Sequence, residues 1–345
     1  DSMLQDSQVP TVIFPFAEYW WFYLAFTAFV LLLLVVDLGV FHRQARAVSI
    51  RESAGWSVVW ISLALLFNAG LYTYVHHKFT VDPVIASTTG MSADMAASRV
   101  ALEFLTGFII EKSLAVDNIF VFVVVFSFFA VPNIYQHRVL FFGIMGALVF
   151  RGIFIALGAA LLKFHWVMML VGVFLIFTGF KMIFSDNEDP NPADNAVIKW
   201  VQKLLPVTPD IHGQKFFKRI EGKIYATPLF LGLMFIEMSD IVFAIDSVPA
   251  IFGITREPLI VYTSNIFAIL GLRSLYFLLA GVVDKFHFLK YAIALILVFV
   301  GSKMTWLSKA LGEELSMGWS LSIIGGFLAG GIVASLLVTA RQPDE

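Results

Sequence analysis

The chain runs to 345 residues, of which 59% are hydrophobic and only 14% charged, with a mean hydropathy of +0.86. Water-soluble domains carry about 25% charged residues, so this composition, with 36 phenylalanines, excludes a soluble globular fold and predicts a polytopic membrane protein. The net charge of −2 says little, because the placement of charge is what orients a membrane protein, while the lack of cysteine excludes disulfides, thiolate metal sites and cysteine nucleophiles.

A helix needs about 20 apolar residues to cross a bilayer. Nine such spans are expected, at 19–41, 55–75, 101–130, 137–162, 165–184, 226–252, 258–282, 286–308 and 317–339. The first follows no charged leader and cleavage-site pattern, so it reads as a retained anchor. Tyr19, Trp20, Trp21 and Trp319 stand where aromatic residues favour the membrane interface. Arg43, Arg46 and Arg51 in the first loop share a side with Lys199, Lys203, Lys215, Lys218, Arg219 and Lys223, against scattered Lys78, Arg99, Arg256 and Lys309 opposite. The positive-inside rule then places the N-terminus outside and the C-terminus in the cytoplasm. The loop at 185–225 opens on "SDNEDPNPADN", a linker by composition. Its "AVIKWVQKLL" aligns Val197, Val201, Leu204 and Leu205 for a short helix, either on the membrane surface or packed on its neighbours. Asp37 and Asn68, in the first two spans, read as helix-end or packing groups.

Two parts of the chain repeat. Without a gap, "FRGIFIALGAALLKFHWVMMLVGVFLIFTGFKM" from Phe150 aligns with "LRSLYFLLAGVVDKFHFLKYAIALILVFVGSKM" from Leu272, laying Arg151 on Arg273, Lys163 on Lys285 and Lys181 on Lys303. Upstream, "EKSLAVDN" aligns with "DIVFAIDS", so Glu111 meets Asp240, Asp117 meets Asp246 and Asn118 meets Ser247. Each copy holds three spans, and an odd number forces the copies into opposite orientations. The expected fold is therefore an all-α polytopic membrane protein of about nine transmembrane helices with two inverted three-helix repeats. Residues 1–100 hold two spans and an outer loop, 101–184 the first repeat, 185–225 a cytoplasmic loop, 226–308 the second repeat, and 309–345 the last span and tail. Such repeats build transporters with a midplane site at the repeat interface.

The buried charges locate that site. A charged side chain at the bilayer centre costs roughly 2.5–3.5 kcal/mol on insertion scales, so intramembrane acids are functional by default. Residues seven apart on a helix are about 20° apart, which puts Glu111 with Asn118 and Asp240 with Ser247. Asp117 and Asp246 fall about 120° away. The four carboxylates, joined by Glu237, either line successive stations or converge if the helices bend near Gly107 and Pro249. An all-oxygen cluster suits hard divalent cations such as Mn²⁺, Mg²⁺ or Ca²⁺. Mutual repulsion of the acids favours proton uptake when no metal is bound, so metal can exchange for protons. Arg151 and Arg273 sit mid-span as structural counter-charges or as gates. Lys112, with only Ile241 opposite it, is expected to snorkel or form a local salt bridge.

At these motifs the chain resembles a known family. "EKSLAVDNIFVF", "IEMSDIVFAIDSVPAIFGITREPLIVYTSNIFAILGLRSLYFLLAG" and the preceding "ATPLF" look like the TerC family of integral membrane proteins, above all its Alx-type branch of manganese exporters. The likeness runs from about residue 55 to 310. It implies a LysE-related transporter that moves Mn²⁺ out of the cytoplasm, with Glu111, Asp117, Glu237, Asp240 and Asp246 as ligands beside Asn118 and Ser247. The family was named for tellurite resistance, and plant members are tied to thylakoid assembly, so an assembly or stress factor without transport activity is the rival reading, with Ca²⁺ or Mg²⁺ as rival cargo. No Walker motif is present, which speaks against ATP drive. The expectation is a transporter and not an enzyme, without a resident cofactor, whose partners are lipid and metal ion and not nucleic acid.

Overall fold

A computed structural model describes residues 12–36, 49–82, 89–161, 165–184, 206–208, 211, 213–280, 288–307 and 317–341. The helices are α1 (Phe16–Val36), α2 (Ile50–Val81), α3 (Ala93–Phe128), α4 (Asn133–Leu161), α5 (His165–Phe184), α6 (Pro228–Phe252), α7 (Pro258–Leu270), α8 (Leu272–Leu279), α9 (Leu289–Ser302) and α10 (Met317–Arg341). A π-helical turn, Lys303–Leu307, follows α9. Among the described residues, five helices are long and apolar enough to cross a membrane, and six if the bent pair α7 and α8 counts as one. α3, at 36 residues, interrupts its apolar run with Glu103, Glu111, Lys112 and Asp117. The protein is a predominantly helical, multi-pass membrane protein.

Local chemistry sets several helix starts. Ser49 precedes α2 and its Oγ accepts from the Glu52 amide at 3.2 Å, satisfying one of the amide groups that a first turn leaves without a partner. Pro228 and Pro258 open α6 and α7, where the missing N–H costs nothing and the fixed φ suits the helix.

One span differs from the expectations, and the two residues singled out as possible bends take definite places. The span at 258–282 is not one helix: it breaks at Gly271, and α7 and α8 meet at 41°. Pro249, singled out as a possible bending point, lies in the closing turns of α6, which runs on to Phe252. Gly107 serves contact, since a Cβ there would lie 2.8 Å from Ser264 Oγ on α7. The loop before α6 also carries an antiparallel hairpin, β1 (Phe217–Ile220) and β2 (Lys223–Ala226), rather than coil alone. Its two-residue turn has φ of +48° at Glu221 and +83° at Gly222, the left-handed pair that a tight hairpin requires. The surface helix expected around Val197–Leu205, and Asp37, lie outside the described residues.

The helices of the two repeat segments pack across each other. α3 runs along α7, α4 along α6, and α5 against α9. The α5–α9 seam is reciprocal. A Cβ on Gly179 would meet Ala294 O and Val298 Cγ2, both at 2.7 Å, while one on Gly301 would meet Gly172 O at 2.5 Å and Ile176 at 2.9 Å. The alignment that lays Arg151 on Arg273 also lays Gly179 on Gly301, Gly172 on Ala294 and Ile176 on Val298. Small residues let helix backbones approach closely where lipid supplies no hydrophobic drive.

Outside this pair of segments, α1 and α2 attach through phenylalanine. Phe67 lies 5.0 Å from Phe267, 5.4 Å from Phe104 and 5.5 Å from Phe26, ring centre to ring centre. Tilted pairs of this kind contribute about 0.5–1.5 kcal/mol each beyond burial.

Candidate functional site

Arg151, on α4 and only 1% exposed, is the hub of the protein's interior. Its Nη1 donates to Asn265 Oδ1 at 2.6 Å, to Ser247 Oγ at 2.7 Å and to the Glu111 carboxylate. Its Nη2 donates to Asp240 Oδ1 at 3.4 Å. One guanidinium thus joins α3, α6 and α7 to its own helix. Nη1 has two hydrogens for three acceptors, so these bonds share donors. Breaking a buried ion pair from one side typically costs about 3–5 kcal/mol, because it strands the other charge.

The interior has polar oxygens to spare. Glu111 Oε2, Asp240 Oδ2, Asn118 Oδ1 and Glu237 Oε2 are all buried, and none has a hydrogen-bond partner among the described residues. Each orphaned oxygen costs on the order of 1–3 kcal/mol of lost solvation. Ionised carboxylates only accept, so donors or a cation would relieve them. Glu237 precedes Asp240 by one turn on α6 and leans into the space left by Gly146, where any Cβ would collide with its carboxylate. Beside Asp240 lies a cavity of about 10 Å³, lined also by Arg273, Phe122 and Gly143, room for roughly one water.

Of the residues picked from sequence, Glu111, Asp240, Ser247 and Arg151 therefore come together. Asn118 and Glu237 are nearby members of the same interior by helix position, each with an orphaned oxygen. Arg273 is buried at the start of α8 and borders the Asp240 cavity. The side chains of Asp117 and Asp246 lie outside the described residues. Among the described residues, no three carboxylate or imidazole groups close on a single point.

One participant, and the partner of another residue, were not foreseen. Asn265 is fully buried, bonds Arg151 through Oδ1 and donates its Nδ2 to Val261 O at 3.1 Å. Its signal was the polar run Thr263, Ser264, Asn265 inside an apolar helix, but the repeat alignment sets Asn265 opposite Gly143 and so hides it. Lys112 does not snorkel, and among the described residues it pairs with no acid: its Nζ donates to Ala268 O at 3.2 Å. A Cβ on Gly271 would strike that ammonium. The reason is the helix break. The last carbonyls of α7 have lost their intrahelical donors and form the negative end of a helix dipole, which a buried lysine can satisfy. Adjacent residues of α3 thus address two targets, Glu111 the arginine hub and Lys112 the break.

A second polar group ties the helix ends on the opposite side from the hairpin. The Glu257 carboxylate, just before α7, accepts from the Ile13 amide at 2.6 Å and the Phe14 amide at 3.2 Å. Thr255 Oγ1 donates to Glu103 Oε2 at 2.6 Å, and Arg99 Nε donates to Glu103 Oε1 at 2.8 Å. Lys78 Nζ donates to Ile13 O at 3.3 Å and to the Tyr19 hydroxyl at 2.8 Å. Burial pushes the Glu257 carboxyl up to about 7, against the lowering by its two amide donors.

With this geometry in place, comparison with known proteins is decisive about family. The model of the integral membrane protein TerC family matches residues 96–343. The chain belongs to the TerC family. That match covers α3 through α10 and thus every residue of the arginine hub. An uncharacterized membrane protein of Myxococcus xanthus is 46% identical over 321 residues, 93% of each chain. A protein of Escherichia coli K12, named as a proposed membrane-bound redox modulator, Alx, is 46% identical over 322 residues, 93% of this chain and 95% of its own. A membrane protein of Rickettsia bellii is 42% identical over 283 residues, 82% and 87% of the two chains. No solved structure matches the chain. The Myxococcus and Escherichia relatives each cover 93% of this chain, more than the family match alone.

Proposed function

We propose that this TerC protein exports a divalent metal cation, with Mn²⁺ as its cargo, from the bacterial cytoplasm through the Glu111–Asp240 interior. The observation that carries the reading is the convergence of two repeat-equivalent acids on one guanidinium, each acid keeping an oxygen with no partner. A purely structural ion pair would be expected to satisfy both oxygens of each acid. Here the acceptors are all oxygen, from carboxylate, amide and hydroxyl groups, the set preferred by hard cations.

The reciprocal α5–α9 seam, with α3 on α7 and α4 on α6, supports two inverted three-helix repeats within a nine-span protein. In that arrangement the hub lies where the repeats meet, as in other transporters with midplane sites. A cation arriving there must compete with Arg151 for Glu111 and Asp240. When the ion takes the acids, the guanidinium keeps Ser247 and Asn265 as acceptors. Asp117, Asp246, Asn118 and Glu237 complete the proposed ligand set, and protons are the proposed counter-ion. The orientation follows from the basic loops, with the N-terminus outside.

The test is transport by purified protein in liposomes, with Mn²⁺ competed by Ca²⁺, Mg²⁺ and Zn²⁺ and with a trapped pH dye. The wild type should move Mn²⁺, and Glu111→Gln and Asp240→Asn should each abolish movement while remaining folded. Wild-type rates in both variants would overturn the reading. A wild type that moves no divalent ion would favour the assembly or stress-factor role.

A further inference from the structure

The hairpin β1–β2 carries an exposed mixed surface that ion transport does not use. Phe217 is 44% exposed and Ile224 57%. The register pairs Arg219 with Ile224 and Phe217 with Ala226, and residues directly opposite on an antiparallel pair share a face. Phe217, Arg219 and Ile224 therefore form one exposed surface, with exposed Lys215 and Lys223 at its margins. Glu221 is the single acid between Lys215 and Ala226.

The hairpin is also fixed in depth. The Phe217 ring lies 4.4 Å from that of Phe230, in the first turn of α6, and α6 is long and apolar enough to span a membrane. A ring packed on that turn sits at the level of that turn. The Thr227 amide donates to Phe216 O at 3.0 Å, and Thr227 Oγ1 donates to Lys215 O at 2.8 Å. Phe216 packs on Phe142 of α4 at 5.2 Å, with the Arg138 guanidinium 5.5 Å above its ring. The strands are thus clamped between α4 and α6.

We propose that this hairpin is a membrane-surface anchor whose Phe217 and Ile224 enter the boundary between headgroups and acyl chains while Lys215 and Arg219 bind anionic phospholipid headgroups. Apolar side chains flanked by cations are what such an interface accepts, and juxtamembrane Lys and Arg are drawn to anionic lipid. The competing occupant is the acid-rich stretch "SDNEDPNPADN", with Asp186, Glu188, Asp189 and Asp194. It could answer the charge, but it has no large apolar side chain to cover Phe217 and Ile224.

The chain has no cysteine, so Ile224→Cys and Lys223→Cys each create a unique labelling site on opposite faces of β2. Each full-length variant is spin-labelled in nanodiscs of phosphatidylcholine, alone or mixed with phosphatidylglycerol. Collisions with oxygen and with a water-soluble nickel chelate are then measured. At 224 the anionic mixture should lower nickel collisions several-fold and raise oxygen collisions, while 223 stays open to nickel. Equal nickel access at both positions overturns the anchor. Protection at 224 that ignores phosphatidylglycerol overturns the headgroup contact. Protection lost when Asp186, Glu188, Asp189 and Asp194 are neutralised assigns the surface to the acidic stretch instead, and also overturns the proposal.

Discussion

Gly179 of α5 and Gly301 of α9 are equivalent under the repeat alignment, and each presses its bare Cα against the other's helix at corresponding residues. Gly179 meets Ala294 and Val298, and Gly301 meets Gly172 and Ile176. A single helix pair without internal symmetry has no reason to show such a relation, and it supports an inverted arrangement of the two segments. Each glycine faces a carbonyl oxygen and an amide nitrogen as well as a side chain, and the backbone atoms cannot rotate aside. Gly179→Ala and Gly301→Ala should each destabilise the protein in detergent by about 1–3 kcal/mol, the usual range for overpacking. Because either substitution opens the same seam, the double variant should lose clearly less than the sum. Full additivity in thermal unfolding would mean that the glycines act separately.

The break between α7 and α8 should depend on a second pair, Lys112 and Gly271. Gly271→Ala places a methyl group where the lysine ammonium lies, and the flexible end of Lys112 must leave Ala268 O. The cost should be that of a hydrogen bond to a charged group, about 1.5–3 kcal/mol. Lys112→Met removes the ammonium beforehand, so adding Gly271→Ala to it should cost little more. A double-mutant cycle in detergent-solubilised protein measures the coupling, and a coupling near zero would separate the lysine from the break.

What the sequence made legible was governed by charge in apolar surroundings. Glu111, Arg151 and Asp240 stand out because such residues are expensive in a span, and the repeat register pairs Glu111 with Asp240 and Arg151 with Arg273. Asn265 and the target of Lys112 were not legible, because they depend on which helix faces which, and periodicity along one helix does not report that. Gly271 gave no warning either: glycine is common in transmembrane helices, and only the approaching lysine distinguishes this one. The hairpin was hidden by its basic surroundings, although Glu221 and Gly222 between two short β-prone stretches had the composition of a tight turn.

Glu257 should make the stability of the N-terminal attachment depend on pH. Its ordinary value is 4.5, and in the folded protein burial raises it to about 7. The groups facing it are the Ile13 and Phe14 amides, Glu103 and Arg99. Between these two values the folded protein keeps a proton that the unfolded chain has released. The contribution is therefore full below about 4.5 and is lost as the pH rises through about 7, at most about 3 kcal/mol. Melting temperature in detergent should fall between about pH 5 and about pH 7.5, a range that includes the raised value. Glu257→Gln should flatten that slope. An unchanged slope in the variant would assign the pH dependence to another group.

Under the proposed function, Arg151 should be a competitor of the metal ion for its acids. In the folded protein it holds Glu111, Asp240, Ser247 and Asn265 together, so it supplies both neutralisation and order. Arg151→Gln removes the positive charge and leaves two buried acids facing each other, which should lower stability by about 3–5 kcal/mol in metal-free buffer. A divalent ion can replace what was lost, since it brings charge to the same oxygens. Mn²⁺ should then raise the melting temperature of the variant more than that of the wild type, and calorimetry should show tighter binding. Export should nevertheless slow, because an ion that nothing displaces from the acids is slow to leave. Glu111→Gln in the same assay should lose the Mn²⁺ stabilisation, since a ligand rather than a competitor is removed. If Arg151→Gln folds but Mn²⁺ neither binds it more tightly nor stabilises it further, the guanidinium is an organiser of the site and not a rival for its acids.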